Sequence, residues 1–385
     1  MKVAYLGKIQ LSDTDLPFLH EAQKMADVTY FLEINPRFMQ GPAFNIHNIY
    51  NKSGLFKATD IYPEFNKLDE FIDLNKCYVL NTCGRMWLLK SFCTHFLLLL
   101  FLIRNKFNIV HLTWPPNIYE FILYVLRKRM ILTLHDPIPH MGFNTGIVRI
   151  RRNVAFRLIP NFILFNNAQK QEFIDLYHID AGRVIESRMS CCTYLEIVEP
   201  ETNDIPSKGS YILFAGRIST YKGLDYLLPA MKKVHECHPE CNLVVAGKGK
   251  YHFDISPYQQ LDYIDIRNRF IPDKELVALI RHCAFMVCPY TNATQSGVIM
   301  SAYAFNKPVI ATNVGGLPEM VRHEHYGLIV KEKDVDVLSA SLIMLWEHPE
   351  IVERYAKEIE QDYHIGKLSW RKTAEDIISV YKSRY

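Results

Sequence analysis

The residues best able to do chemistry fall in four short stretches, each following an apolar run that reads as a buried strand. In AGRISTYKG, Gly216, Arg217, Lys222 and Gly223 come after Tyr211 to Phe214 and before a helix-forming segment, Leu224 to His235. An Arg and a Lys bracketing one turn at a strand end can converge on a diphosphate, the Arg through its planar fork and the Lys as a point charge. In the stretch Tyr290 to Met320, a polar loop (Thr291, Asn292, Thr294, Gln295, Ser296, Gly297) opens a predicted helix after the apolar run Phe285 to Cys288. Backbone N–H groups at a helix start lack intrahelical partners and carry partial positive charge, so this loop also favours an anion. The strand Pro308 to Ala311 ends in Thr312, Asn313, Gly315 and Gly316, and the two glycines let a ligand approach the backbone. Pro318 and Glu319 suit the first turn of a further helix. The third stretch is Gly247, Lys248 and Gly249, behind Asn242 to Ala246. The fourth is LTLHDPIPHMG, residues 132–142, where His135 and Asp136 stand just past the strand Met130 to Leu134. Open α/β sheets bind ligands at such carboxyl ends, and the prolines that follow stiffen the loop.

Each feature also has an ordinary reading. An Arg and a Lys near a helix start are commonly solvated, one glycine pair suits any βα turn, and a lone His is commonly a satisfied core residue. Placement at strand ends weighs toward a site. Metal chemistry is not expected: His235, Cys237, His238 and Cys241 fit no common zinc spacing, and two prolines separate His140 from the strand that carries His135. Nine cysteines at irregular positions, behind a start (MKVAYLG) without a signal peptide, point to reduced thiols and a cytoplasmic protein.

The elements that must position these residues read as alternating strands and helices. A length of 385 residues suits two domains, and 49% apolar residues with a net charge of +3 argue against both disorder and a nucleic-acid partner. The strand Lys2 to Leu6 is followed by Gly7 alone, too few glycines for a dinucleotide fingerprint. Residues Asn35 to Asn66 show no clear period and read either as a functional surface or as a packed insertion. Met86 to Ile103 is strongly apolar, but Lys90 and His95 interrupt it and it lies between two strands, so a buried crossover helix is favoured over a membrane span. Between Arg85 and Arg157 there are eleven basic residues and two acids. Arg149, Arg151 and Arg152, with Arg127 to Arg129, read as a solvated face or as a contact for anionic lipid. The expected domains are 1–198 and 210–366, joined by a linker at 199–209, with a final helix at 367–385 packing back on the first domain.

QSGVIMSAYAFNKPVIATNVGGLPE resembles the donor-binding segment of the retaining family 4 glycosyltransferases, which have the GT-B fold of two Rossmann-like domains around a donor and acceptor cleft. AGRISTYKGLD is similar to their Gly-Arg and Lys-Gly motif, the step at Gly247 to their Ala-Gly-x-Gly turn, and LTLHDPIPH to the histidine loop of some bacterial members. The resemblance implies a metal-independent hexosyltransferase acting in bacterial polysaccharide or glycolipid synthesis. Its donor would be a nucleoside-diphosphate sugar, used as co-substrate with no cofactor. The acceptor would be a carbohydrate or lipid-linked hydroxyl, with contact at the inner face of the plasma membrane. It assigns the diphosphate to Arg217 and Lys222 and a sugar hydroxyl to His135. Gly216, Gly247, Asn292, Gln295, Ser296, Gly297, Val298, Ser301 and Glu319 would form the rest of the donor site, and Arg269 to Ile271 would lie against the base. The chain departs from the family at two glutamates spaced eight apart, where it has Ala293 and Ser301; a subset that places its acid one residue earlier is matched by Asn292. That departure keeps open a catalytically weak, donor-binding or partner subunit, and a GT-B epimerase or hydrolase is the third reading.

Overall fold

The computed structural model describes the chain except for residues 44, 136, 139–145, 166, 202–204, 206–209 and 294. It divides into two compact units, one formed by Met1–Ser190 with Trp370–Tyr385 and the other by Cys191–Ser369. Both are parallel-rich α/β units, and the fold is GT-B.

The first unit carries an eight-stranded sheet: β1 (Lys2–Lys8), β2 (Asp27–Ile34), β3 (Gly54–Lys57), β4 (Cys77–Asn81), β5 (Ile109–Leu112), β6 (Met130–Leu134), β7 (Asn161–Leu164) and β8 (Val184–Glu186). Its order is β3-β4-β2-β1-β5-β6-β7-β8, parallel throughout except that β3 runs against β4. The central strands read as continuous apolar runs because helices cover both faces. β3 lies inside the segment 35–66 that showed no period; four residues at an antiparallel edge are too few to stand out.

Helix Trp87–Arg104 fills the crossover position expected for Met86 to Ile103. It is not a buried helix, however. Ser91, Thr94, His95, Leu98, Leu99 and Leu102 face the core, whereas Leu88, Leu89, Phe92, Phe96, Leu97, Leu100 and Ile103 are exposed. A helix laid on one face of a sheet can bury only one stripe, whatever its composition. The next segment, Ile118–Arg129, winds as a 3-10 helix behind a capping box of Asn117 and Glu120. The last helix, Trp370–Arg384, completes this unit by packing on helix Ser12–Met25. Tyr381 hydroxyl bonds His111 Nδ1, and Tyr385 hydroxyl accepts from Asn161 Nδ2 at 2.9 Å.

The second unit holds β9 (Tyr211–Ala215), β10 (Asn242–Ala246), β11 (Ile264–Arg267), β12 (Phe285–Cys288), β13 (Val309–Thr312) and β14 (Gly327–Val330). Their order is β11-β10-β9-β12-β13-β14, all parallel, with the direction of progression reversing between β9 and β12. Residues 191–198, read from the sequence as the end of the first domain, group with this unit instead. The N–H of Cys192 donates to the carbonyl of Met300 at 3.0 Å, and Cys191, Tyr194 and Leu195 are buried. Most of the expected linker 199–209 lies outside the described residues.

Candidate functional site

In a doubly wound sheet the crevice opens where strand order reverses, outside the carboxyl ends of the strands. In the second unit that point lies between β9 and β12, the strands that lead into Gly216 and Tyr290. The order of elements in the sequence therefore brings the separated motifs to one edge.

Close backbone packing fixes their relative positions. Gly216 has φ 112°, and a Cβ there would lie 3.2 Å from Val298 Cγ2, at the start of helix Gly297–Tyr303. The Gly216 N–H donates to the Ala246 carbonyl at 2.9 Å. Gly247 has φ 154°, and a Cβ there would stand 1.9 Å from the Gly216 carbonyl oxygen, so no side chain fits. Gly223 is in the left-handed region at φ 69°, and its Cβ would fall 1.8 Å from the Pro289 carbonyl oxygen. That contact ties the turn after β9 to the end of β12. The Thr291 N–H donates to the Tyr221 carbonyl at 2.8 Å and closes the same seam.

Lys222 is held inside the seam, only 8% exposed, with Nζ 3.6 Å from the centre of the Tyr290 ring and 5.3 Å from that of Tyr221. Aromatic faces stabilise an ammonium without neutralising it. Among the described residues Lys222 has no carboxylate partner. Burial, with the added positive charge of Arg217, lowers its pKa from 10.5 to about 8. Arg217 is exposed and makes no ion pair among the described residues. Two cations without anions at a strand-order reversal form a site lacking its counter-charge.

An open pocket of about 620 Å³ begins beside them, lined by Gly216, Arg217, Ile218, Gly247, Lys248, Lys250, His252, Phe270 and Ile271. Phe270 and Ile271 present apolar surface there, while Arg269 turns away to pair with Glu275 at 2.6 Å. Among the described residues no carboxylate lines this pocket. Its chemistry fits a flat apolar group joined to an anion.

The helix side is less generous than its sequence suggests. Helix Gly297–Tyr303 has seven residues, and Ser296 precedes it in extended backbone without a side-chain cap bond. Ser296 does not face outward: it is 3% exposed and its hydroxyl lies 3.3 Å from that of Tyr290. Its side chain is part of the core, so only its backbone is available to a ligand. Ser301 spends its hydroxyl proton on the Gly297 carbonyl at 3.0 Å, leaving only acceptor capacity. Asn292 is exposed in the loop, Gln295 is half-buried, and Thr294 lies outside the described residues. Glu319 is exposed on the five-residue helix Leu317–Val321.

His135 belongs to the first unit, at the end of β6. Its Nε2 is buried without a hydrogen-bond partner among the described residues, and its ring meets Phe165 edge-on with centres 5.2 Å apart. Burial lowers its pKa to about 4, so it is neutral at ordinary pH. A pocket of about 70 Å³ adjoins it, lined also by Thr113, Trp114, Thr133, Arg151 and Arg152. An unsatisfied buried nitrogen is costly unless a ligand or water completes it. Asp136 and His140 lie outside the described residues.

Arg151 and Arg152, read from the sequence as part of a cationic face with Arg149, are corrected to structural residues. Arg151 donates to the carbonyls of Pro115 at 2.7 Å and Pro116 at 3.1 Å, and buried Arg152 donates to that of Pro137. Carbonyls ahead of and behind prolines need such donors because no sheet partner reaches them. Arg149 remains exposed.

Sequence reasoning missed one charged group. Lys8, at the end of β1, is buried and paired with Glu33 and with Glu120, the latter at 2.7 Å, while His95 Nε2 stands 3.7 Å from Glu120. Burial opposes the Lys8 charge, but the two carboxylates outweigh it and hold the ammonium above its usual range. Glu33, His95 and Glu120 bring ligand atoms within 4.8 Å of one another, yet Lys8 already pairs with both carboxylates there. The signal available was a Lys directly after the first strand and glycine. His235, Cys237, His238 and Cys241 do not converge: His235 stacks on Tyr263 at 3.6 Å, and His238 pairs with Glu347 at 2.9 Å.

The two Rossmann-like units define a GT-B protein, and comparison with known proteins agrees. The chain superposes on the Anabaena protein HepE, solved in complex with UDP, with TM-score 0.68 at 16% identity over 100% of both chains. Residues 197–362 match the family model described as "Glycosyl transferases group 1". The chain is 31% identical over 181 residues to an uncharacterized glycosyltransferase of Methanocaldococcus jannaschii, covering 44% of each chain. It is 30% identical over 186 residues to a D-inositol 3-phosphate glycosyltransferase of Corynebacterium efficiens, covering 46% of this chain and 43% of that one. The matched segment thus spans less than half the length of these curated relatives.

Proposed function

We propose that the protein transfers a glycosyl group, of hexosyl type, from a nucleoside-diphosphate sugar to an acceptor hydroxyl, with retention of anomeric configuration. The observation that carries this reading is the pair Arg217 and Lys222: two cations without anionic partners among the described residues, beside glycine turns that bring backbone to the same edge. The bond between the anomeric carbon and the diphosphate oxygen breaks, and the acceptor oxygen forms the new bond to that carbon. The acceptor proton passes to the departing phosphate oxygen, so the chain need supply no separate base. Arg217, Lys222 and the amides at Gly297 and Val298 stabilise the leaving charge as fixed donors, in place of a metal ion. His135, neutral and with a ring nitrogen unpartnered among the described residues, serves a sugar hydroxyl. Gly216 and Gly247 let the donor reach the backbone, and Asn292, Gln295, Ser301 and Glu319 remain for ribose and sugar hydroxyls. A carbohydrate or lipid-linked acceptor in bacterial polysaccharide or glycolipid synthesis, in the cytoplasm, suits this chemistry.

UDP is the first probe, since the neighbour HepE is solved with it. A panel of nucleoside-diphosphate sugars, followed by release of the diphosphate with and without candidate acceptors, tests the proposal. Acceptor-dependent release is expected, and Arg217→Ala should lower kcat/KM by about 2–4 kcal/mol of transition-state stabilisation, the scale of a lost preorganised donor. Near-wild-type turnover of Arg217→Ala would remove Arg217 from the mechanism. Binding without release would favour a donor-binding subunit, and donor consumption without an acceptor would favour an epimerase or hydrolase.

A further inference from the structure

We propose that the outward face of helix Trp87–Arg104 is a docking surface that lies in the interface of an anionic lipid membrane without crossing it. Leu89, Phe92, Phe96, Leu97, Leu100 and Ile103 are each 43–55% exposed. At spacings of three and four residues they form one stripe along the helix, opposite the buried stripe of Leu98, Leu99 and Leu102. Scattered exposed apolar residues need no explanation, but a contiguous stripe of this kind marks an interaction site.

The surrounding charge identifies the occupant. Arg85, Arg104 and Lys106 are exposed near the helix ends, and Arg127 and Lys128 are exposed on the 3-10 helix packed beside it. Between residues 85 and 135 the single acid is Glu120, and it is buried against Lys8. These two helices therefore offer an apolar stripe with cationic flanks and no exposed carboxylate of their own, which is the composition of helices that rest among anionic headgroups. A second copy of this chain would bring those cations against their own counterparts. By length and composition this helix could also span a bilayer. Spanning, however, would pull its inner stripe out of the core and break the bond from Ser91 to Thr82 and the approach of His95 to Glu120.

The inference does not rest on the glycosyltransferase reading, because binding is measured without donor or acceptor. The full chain is floated with vesicles of phosphatidylcholine alone or of phosphatidylcholine mixed with phosphatidylglycerol. Binding to the anionic vesicles, weakened by salt, is expected. Arg104→Gln, Arg127→Gln and Lys128→Gln combined should lower the partition on the order of 100-fold, at about fivefold per basic residue. Phe96→Ser, Leu97→Ser and Leu100→Ser combined should abolish it. A second measurement does not depend on how these variants fold. Cys93 is exposed on this helix and Cys237 is the other exposed thiol, so an environment-sensitive dye on Cys93 in a Cys237→Ser background should shift to the blue with anionic vesicles only. Failure of the wild-type chain to float with anionic vesicles, or an unshifted dye, overturns the proposal. A concentration-dependent dimer that disappears with the serine substitutions, without vesicle binding, would assign the face to self-association and overturn it equally.

Discussion

Raising the pH above 8 should weaken diphosphate binding while stabilising the empty protein, and both effects trace to Lys222. Its pKa is about 8 instead of 10.5 because it is buried, with Arg217 adding to the effect. If only the ammonium form binds, the apparent Kd is the intrinsic value divided by the charged fraction. That fraction is about 0.9 at pH 7 and about 0.1 at pH 9, so affinity should fall roughly tenfold over those two units and by about another tenfold at pH 10. A lysine titrating near 10.5 would leave the Kd almost flat to pH 9. The opposite trend holds for folding. Between pH 8 and 10.5 the unfolded chain keeps the proton that the folded chain releases, so stability rises with pH there, by at most about 3 kcal/mol. Calorimetric titration of UDP, or of the tightest binder in the donor panel, in two buffers of different ionisation enthalpy should reveal proton uptake at pH 8.5. Lys222→Met should bind weakly at every pH without that uptake. A Kd constant from pH 7 to 9.5, with no proton taken up, would refute both the depressed pKa and the place of Lys222 at the diphosphate.

Gly223→Ala should cost about 2 kcal/mol or more in urea denaturation, because it combines a left-handed backbone with a Cβ 1.8 Å from the Pro289 oxygen. Acid should destabilise the first unit early. Burial lowers His111 to about 3 and His135 to about 4, so the unfolded chain binds protons first, and Tm should begin to fall as pH drops below about 6.5. His135→Asn should flatten part of that fall. Ser301→Glu should tighten donor binding if residue 301 meets the ribose, since a carboxylate accepts more strongly than a hydroxyl already committed to Gly297; weaker binding in the same titration would place the ribose elsewhere.

The alternation of strands and helices was legible because buried parallel strands are nearly continuous apolar runs, and β9, β10, β12 and β13 stand out as such. The glycine turns were legible too, since Gly216, Gly223 and Gly247 occupy backbone that side chains resist. Orientation was not. Ser296 looks polar and available in sequence, yet its side chain turns inward to Tyr290. Arg151 and Arg152 look like surface charge, but proline-rich loops from other parts of the chain supply carbonyls that claim them. Lys8, Glu33 and Glu120 are 25 and 112 residues from one another along the chain in their two pairings, a separation that no local pattern encodes. The apolar composition of Trp87–Arg104 suggested burial because composition has no direction, whereas a helix on a sheet has two sides.

The return of helix Trp370–Arg384 to the first unit makes residues 191–369 a continuous insertion within it. During synthesis the inserted unit is complete when Ser369 leaves the ribosome. The first unit, begun earlier, still lacks the tyrosine that bonds His111 and the aromatic contact of Trp370 with Phe165. The order of maturation is thereby inverted relative to the order of translation, and the sheet of the first unit must wait, partly uncovered, for a segment made after the inserted unit.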